Sequence, residues 1–262
     1  MSTENQNQGR LHGKVVMMTG VSKGLGKQNA IELAKAGAKL SISARSEAAL
    51  LETVALCEAQ GAEVLGVVCD VTDVEHLENY VARTVERFGR IDVLINNANF
   101  EAELTPFLQQ DISSLRTAFE VGAMAVWRLM QLCHPHMARA EGTASIINLV
   151  SGVYETGMEG YASYVPDKAA IRGLSMVAAR ELGASGIRVN TLAPVALTDT
   201  ILHGLAPEYS EFVKQQMSVN PLGRFGDPAA DIAPVLIFLA SDDSRWITGQ
   251  NFNADGGAVI QA

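Results

Sequence analysis

Three side chains in this sequence could move a proton together. Tyr164 and Lys168 stand four residues apart in Tyr164-Val165-Pro166-Asp167-Lys168, and Ser151 precedes the tyrosine by thirteen residues. On a helix, residues four apart share a face, so the ammonium of Lys168 can sit beside the phenol of Tyr164. A nearby positive charge favours the phenolate, and the phenol is expected to acidify from about 10 toward neutrality. A phenol tuned in this way can donate or accept a proton near neutral pH. Tyr154 and Tyr161 are the same residue type, but neither has a lysine four residues on.

A second cluster suits phosphate. Thr19-Gly20-Val21-Ser22-Lys23-Gly24-Leu25-Gly26 follows the apolar run 14–19 and opens a segment with Leu25, Ala30, Ile31, Leu33 and Ala34 at helical spacing. Glycines at a strand-to-helix turn allow a tight bend, close backbone approach to a pyrophosphate and close helix–sheet packing. The helix start adds free N–H groups and partial positive charge. The strand before and the helix after are the context this motif requires. In a dinucleotide site an acid after the second strand would bond the ribose 2′-OH; this chain has Ser43-Ala44-Arg45-Ser46 there. Arg45, with Lys23 in the glycine turn, suits a 2′-phosphate instead, which indicates NADP(H) over NAD(H).

The elements that must carry these groups follow from periodicity. Strands are expected at 14–19, 38–44, 63–69, 92–97, 144–150, 187–192 and 251–254. Helices are expected at 24–36, 46–60, 74–88, 112–137, 161–182 and 228–240. Such alternation along the chain means right-handed βαβ units and one parallel sheet. The fold class is therefore α/β: a single doubly wound, Rossmann-like parallel sheet with helices on both faces. Residues 1–10 are polar and without period, which predicts a disordered tail, and residues 11–262 form one domain.

Composition narrows the function. The 262 residues carry 48% hydrophobic and 19% charged side chains, with a net charge of −9. No basic stripe is present to neutralise nucleic-acid phosphates. No apolar run is long enough to span a bilayer, and no signal peptide is visible, so a cytoplasmic location is expected. Cys57, Cys69 and Cys133 are three and far apart, which predicts reduced, buried thiols. His134 and His136 lack a third ligand nearby, and no metal site is expected.

The TGxxxGxG turn, the Ser151–Tyr164–Lys168 spacing and Asn96-Asn97-Ala98 together resemble the short-chain dehydrogenase/reductase family, from about Lys14 to Gly257. The resemblance implies an oxidoreductase that moves a hydride between NADP(H) and a carbonyl or secondary alcohol. It implies that Tyr164 acts as acid or base, Lys168 also bonds the nicotinamide ribose, and Ser151 holds the carbonyl oxygen. Gly20, Ser22, Lys23, Gly24, Leu25, Gly26, Arg45, Asp70, Val71, Asn97, Ala98, Pro194, Leu197 and Thr198 are the expected cofactor contacts. Asp70 and Val71 would meet the adenine; a cap on the next helix is the other reading of Asp70. Thr198 or Thr200 would touch the nicotinamide amide. Residues 195–227 would form a lid whose Leu197, Ile201, Leu202, Leu205, Tyr209, Phe212 and Met217 suit a hydrophobic or cyclic ketone, or ordinary helix packing. Phe100, Tyr154 and Met158 would line the same pocket. Members are usually homotetramers, with segments 112–137 and 161–182 forming one interface.

Four positions depart from that pattern. Asn99 stands where the family has glycine, Gly122 where a relay asparagine is usual, Val195 where glycine follows Pro194, and Pro166-Asp167 where small residues are usual. Asn99 is expected to need a glycine-like backbone, Val195 to crowd the nicotinamide edge, and Pro166 to force the helix to start near Tyr164. The alternative these changes raise is a weakly active or non-catalytic NADP-binding scaffold.

Overall fold

The computed structural model describes residues 9–137, 143–198 and 220–260. Seven strands form one sheet: β1 (Val15–Thr19), β2 (Lys39–Ala44), β3 (Val64–Val68), β4 (Val93–Asn96), β5 (Ala144–Leu149), β6 (Ile187–Pro194) and β7 (Asn251–Ala254). Their spatial order is β3-β2-β1-β4-β5-β6-β7, and every pairing is parallel. Strands β1, β4 and β5 are wholly buried, as continuous apolar runs covered on both faces must be.

Helices α1 (Gly24–Lys35) and α2 (Glu47–Glu58) follow β1 and β2, and α3 (Val74–Phe88) follows β3. The connection from β4 to β5 carries α4 (Ile112–Phe119) and α5 (Ala125–Met137), joined by a π-turn at Glu120–Met124. The short α6 (Val153–Thr156) and long α7 (Tyr164–Glu181) lie between β5 and β6, and α8 (Ala233–Ala240) precedes β7. One core packs Leu77 and Tyr80 of α3, Leu129 and Cys133 of α5, and Ile171 of α7 against the sheet. The other packs Ala30 and Leu33 of α1, Leu50 of α2, and Leu236 and Leu239 of α8 against the opposite face. The doubly wound architecture expected from the sequence is thereby realised.

Several boundaries differ from the periodic reading. The helix at 112–137 is broken by the π-turn, and α7 starts at Tyr164, not Tyr161. Strand β6 continues to Pro194, because β7 pairs with its last residues. Helix α6 and a 3₁₀ turn at Phe107–Gln109 were not foreseen; both are too short to leave a period. No described helix is long and apolar enough to cross a membrane. The three cysteines are free and buried.

The winding reverses between β1 and β4. In open α/β sheets that reversal leaves a crevice at the carboxyl ends of the two strands. A buried phenol braces the sheet beneath it: Tyr80 Oη donates to the carbonyls of Ser41 at 2.6 Å and Met18 at 3.0 Å, joining α3 to β1 and β2. Tyr80→Phe should lower unfolding stability by about 1–2 kcal/mol. Urea denaturation would register this as a lower midpoint at unchanged slope; an unmoved midpoint would show the bonds contribute nothing net.

Candidate active site

A cleft of about 590 Å³ opens at that crevice. Its floor begins at the turn after β1, where two glycines are dictated by space. Gly20 has φ +74°, and a Cβ on it would lie 2.7 Å from Ala98 Cα. A Cβ on Gly26 would lie 2.1 Å from the Gly20 carbonyl oxygen and 2.6 Å from Asn97 Nδ2. Asn97 locks the junction: its Nδ2 donates to the Thr19 and Gly20 carbonyls, both at 2.9 Å. The Asn97 and Ala98 amides donate back to Thr19 Oγ1 at 3.1 and 3.0 Å.

Helix α1 starts at this turn with no side-chain cap, whereas Ser46 caps α2 and Asp73 caps α3. Its first N–H groups are left to an anionic ligand, and the cradle fits a pyrophosphate. Further along the cleft lie Arg45, Asp70 and Val71. Asp70 does not cap α3; its Oδ1 accepts from Thr72 N at 2.9 Å and Thr72 Oγ1 at 2.8 Å. Burial pushes the Asp70 carboxyl up, but the Thr72 bonds and the charges of Arg45 and His76 outweigh it and leave it below its ordinary value. Lys23 forms an ion pair with Glu101 across the cleft mouth. Both side chains are more than half exposed, and pairs of that kind are weak enough for a phosphate to displace.

At the other end of the cleft Ser151, Tyr164 and Lys168 come together, with Pro194 and Thr198 beside them. A buried network aligns their elements: Asn96 Nδ2 donates to Asn148 Oδ1 at 2.7 Å, and Asn148 Nδ2 donates to Ser175 Oγ at 2.8 Å, tying β4 to β5 and β5 to α7. Lys168 is buried, with Nζ over the Tyr164 ring, 5.2 Å from its centroid. Of the expected cofactor contacts only Leu197 does not line the cleft; its amide instead donates to Gly226 O at 2.9 Å, closing the base of the 195–227 segment. The backbone bridge between Ala196 and Gly226 turns the chain there. Of the expected substrate contacts, Phe100 lines the cleft, while Tyr154 packs against the core and Met158 lies outside. Thr200, Ile201, Leu202, Leu205, Tyr209, Phe212 and Met217 fall outside the described residues.

The expected acid shift of Tyr164 is reversed. Burial above all, with a smaller contribution from the Asp167 carboxylate, pushes the phenol up to about 12, against hydrogen bonds from Asn99 and Ser151 that lower it. Burial also pushes Lys168 below an ordinary amine, and Asp167 opposes that shift. The carboxylate, 3.7 Å from Lys168 Nζ, offsets the charge that was to acidify the phenol.

The four departures take new meanings. No non-glycine residue described has a positive φ, so Asn99 is unstrained, and its amide reaches Tyr164. Val195 does not line the cleft; its backbone bonds Ala254 and Gly226. Pro166 sits in the first turn of α7, where a missing N–H costs nothing. Gly122 leaves its space to the carboxylate of Asp167. Thr117, Val121, Glu101 and Ala196 also line the cleft and were not foreseen; no motif in the sequence marks them.

The fold and this cleft define an NAD(P)-dependent dehydrogenase or reductase. The family model described as Enoyl-(Acyl carrier protein) reductase matches residues 20–259. The 12alpha-hydroxysteroid dehydrogenase of Clostridium sp. (strain ATCC 29733 / VPI C48-50) is 36% identical over 256 residues, covering 95% of this chain and 98% of that protein. The 3-oxoacyl-(acyl-carrier-protein) reductase of Thermotoga maritima is 35% identical over 253 residues, covering 96% and 100%. The crystal structure of levodione reductase superposes with a TM-score of 0.88 at 31% identity, covering 94% of this chain and 98% of that one. The chain belongs to the short-chain dehydrogenase/reductase family, and it is an oxidoreductase of alcohols and ketones.

Asn99 supplies a test of the site's electrostatics. A donated hydrogen bond stabilises phenolate over phenol, so Asn99→Gly should raise the phenol further. Alcohol oxidation needs the phenolate, and its rise with pH should move to higher pH in this variant. A pH–rate profile that overlays the parent would remove Asn99 from the site.

Proposed function

We propose that this enzyme reduces a hydrophobic or cyclic ketone with NADPH, and oxidises the matching alcohol in reverse. The observation that carries the reading is the convergence of Ser151, Tyr164 and Lys168 with the glycine turn, Arg45 and Lys23 around one cleft. In this reading the N–H groups of the glycine turn bind the pyrophosphate, and Ser22 and Leu25 border it. Arg45 and Lys23 hold the 2′-phosphate, with Lys23 released from Glu101. Asp70 and Val71 contact the adenine, and Asn97, Ala98 and Pro194 wall the path to the nicotinamide. Thr198 bonds the carboxamide, and Lys168 bonds the ribose.

The bound dinucleotide supplies the hydride. Ser151 holds the substrate oxygen by donating to it, which fixes the carbonyl for attack. Tyr164 gives that oxygen a proton. With its phenol held near 12 by burial, it is protonated at neutral pH, the form that carbonyl reduction needs. The same group acts as base in the reverse direction.

Hydrophobic substrate choice is supported by Phe100 and Val121 in the cleft wall. The 12alpha-hydroxysteroid dehydrogenase among the relatives, whose name gives a polycyclic substrate, points the same way. The bridge between Ala196 and Gly226 joins the described ends of the expected lid, whose residues 199–219 lie outside the described residues. Assembly into a homotetramer is supported by Trp127, Met176 and Val177, large apolar side chains about half exposed on α5 and α7.

Two variants test this function with a panel of cyclic and linear ketones. Tyr164→Phe should lower NADPH-dependent turnover by at least about 100-fold while NADPH binding persists. Tight NADPH binding by the parent with no turnover of any panel member would favour the scaffold reading instead. Arg45→Ala should weaken NADPH by about tenfold or more and leave NADH nearly unchanged; equal loss for both would defeat the NADP assignment.

A further inference from the structure

Asp167 is an acidic residue in an unfavourable place. It is 1% exposed and lies beside the buried Lys168 in α7. Its carboxylate reaches into the π-turn between α4 and α5. There Oδ1 accepts from Ala123 N at 2.8 Å. Its Oδ2 has no hydrogen-bond partner among the described residues, though Lys168 Nζ lies 3.7 Å away. The space it fills exists only because residue 122 has no side chain. A Cβ on Gly122 would lie 2.2 Å from each of the two carboxylate oxygens.

A buried carboxylate with an unused oxygen costs stability unless it is paired, and even a paired one is seldom stabilising against apolar side chains of like volume. A glycine within a helix weakens that helix as well. Two unfavourable choices, forty-five residues apart, meet at one point and fit each other. That point lies one residue from Lys168 and, along α7, three from Tyr164. The π-turn belongs to the same arrangement, since insertions of this kind gather at functional sites.

We propose that Asp167, seated over Gly122, is a positioning residue that fixes the Lys168 ammonium beside Tyr164. Its charge there favours the protonated phenol. Burial raises the Asp167 carboxyl, while Lys168 from its own helix and the Ala123 N–H from the π-turn oppose burial and favour its charged form. Asn99, from the loop after β4, and Ser151, from the end of β5, act on the phenol in the opposite sense. Gly122 is the spatial partner that makes the seat. The inference rests on the catalytic reading of Tyr164 and Lys168, but its placement can be tested without turnover.

The experiment uses the full chain without cofactor, labelled with ¹³C at tyrosine Cζ. The Tyr164 resonance is assigned by its loss in Tyr164→Phe. In the parent it should stay protonated to about pH 10. In Asp167→Asn, which keeps the shape and removes the charge, the phenol should become about tenfold more acidic. Turnover adds a second readout: the alkaline loss of ketone reduction should move to lower pH by the same factor. Identical titrations in parent and Asp167→Asn, with or without a change in melting temperature, would overturn the proposal. Should Asp167→Asn not fold, Gly122→Ala evicts the carboxylate instead and should acidify the phenol in the same direction. The seat itself is checked by coupling. Gly122→Ala should lower the melting temperature, and adding Asp167→Ala should restore part of the loss; strictly additive effects would remove the contact. A parent protein inactive on every ketone would count against the proposed function and leave the titration to decide Asp167.

Discussion

The side-chain amide of Asn97 bonds two successive carbonyls, Thr19 and Gly20, at the end of β1. Thr19 Oγ1 returns the contact to two successive amides of the loop after β4. These bonds clamp the strands on either side of the sheet's reversal, so the backbone at the cleft floor is held from both directions. The clamp is close enough that side chains are excluded from positions 20 and 26. Everything that faces the cleft is placed relative to this junction: α1 leaves it without a side-chain cap, and Asn99 follows it by two residues to meet Tyr164. A looser junction would admit water and side chains where the amides must stay free for an anion.

Much of this was legible in the sequence, because the features involved are local. A strand, a glycine turn and a helix are contiguous at 14–36, and their period shows without coordinates. The continuous apolar strands revealed a sheet covered on both faces. Tyr164 and Lys168 share a helix, and their spacing alone puts them together. Ser151 was legible because it ends a strand whose neighbours were also readable.

What stayed hidden depended on contacts between distant segments. The family resemblance implies Leu197 as a cofactor contact, but the bridge from Ala196 to Gly226 turns the chain there. The acidity of Tyr164 was misjudged because the sequence shows the lysine four residues on and hides how deeply both are buried. Desolvation acts on every ionisable group in the cluster, and it outweighed the one charge that spacing revealed. Asp167 was visible as an odd residue between Tyr164 and Lys168, and Gly122 as an odd gap in a helix. Neither could be joined to the other, since their contact is made across two elements.

The four departures from the family pattern look like damage when taken singly. In the structure two of them, Val195 and Pro166, are absorbed by backbone geometry at no cost to the cleft. Asn99 and the contact of Asp167 with Gly122 change the polarity around one hydroxyl. Asn99 donates to the phenol oxygen and favours the phenolate, while Asp167 places a negative charge nearby and favours the phenol. The two effects oppose each other at the same atom, and burial adds to the second. A site that had merely lost its function would have no reason to keep a buried carboxylate, because apolar packing of the same volume is the more stable choice. The presence of a desolvated Asp167–Lys168 pair, with a glycine whose missing side chain leaves room for it, is therefore better explained by control of proton affinity than by stability. A tyrosine used as an acid must take a proton back from solvent after each turnover, and a fixed negative charge behind it raises its affinity for that proton.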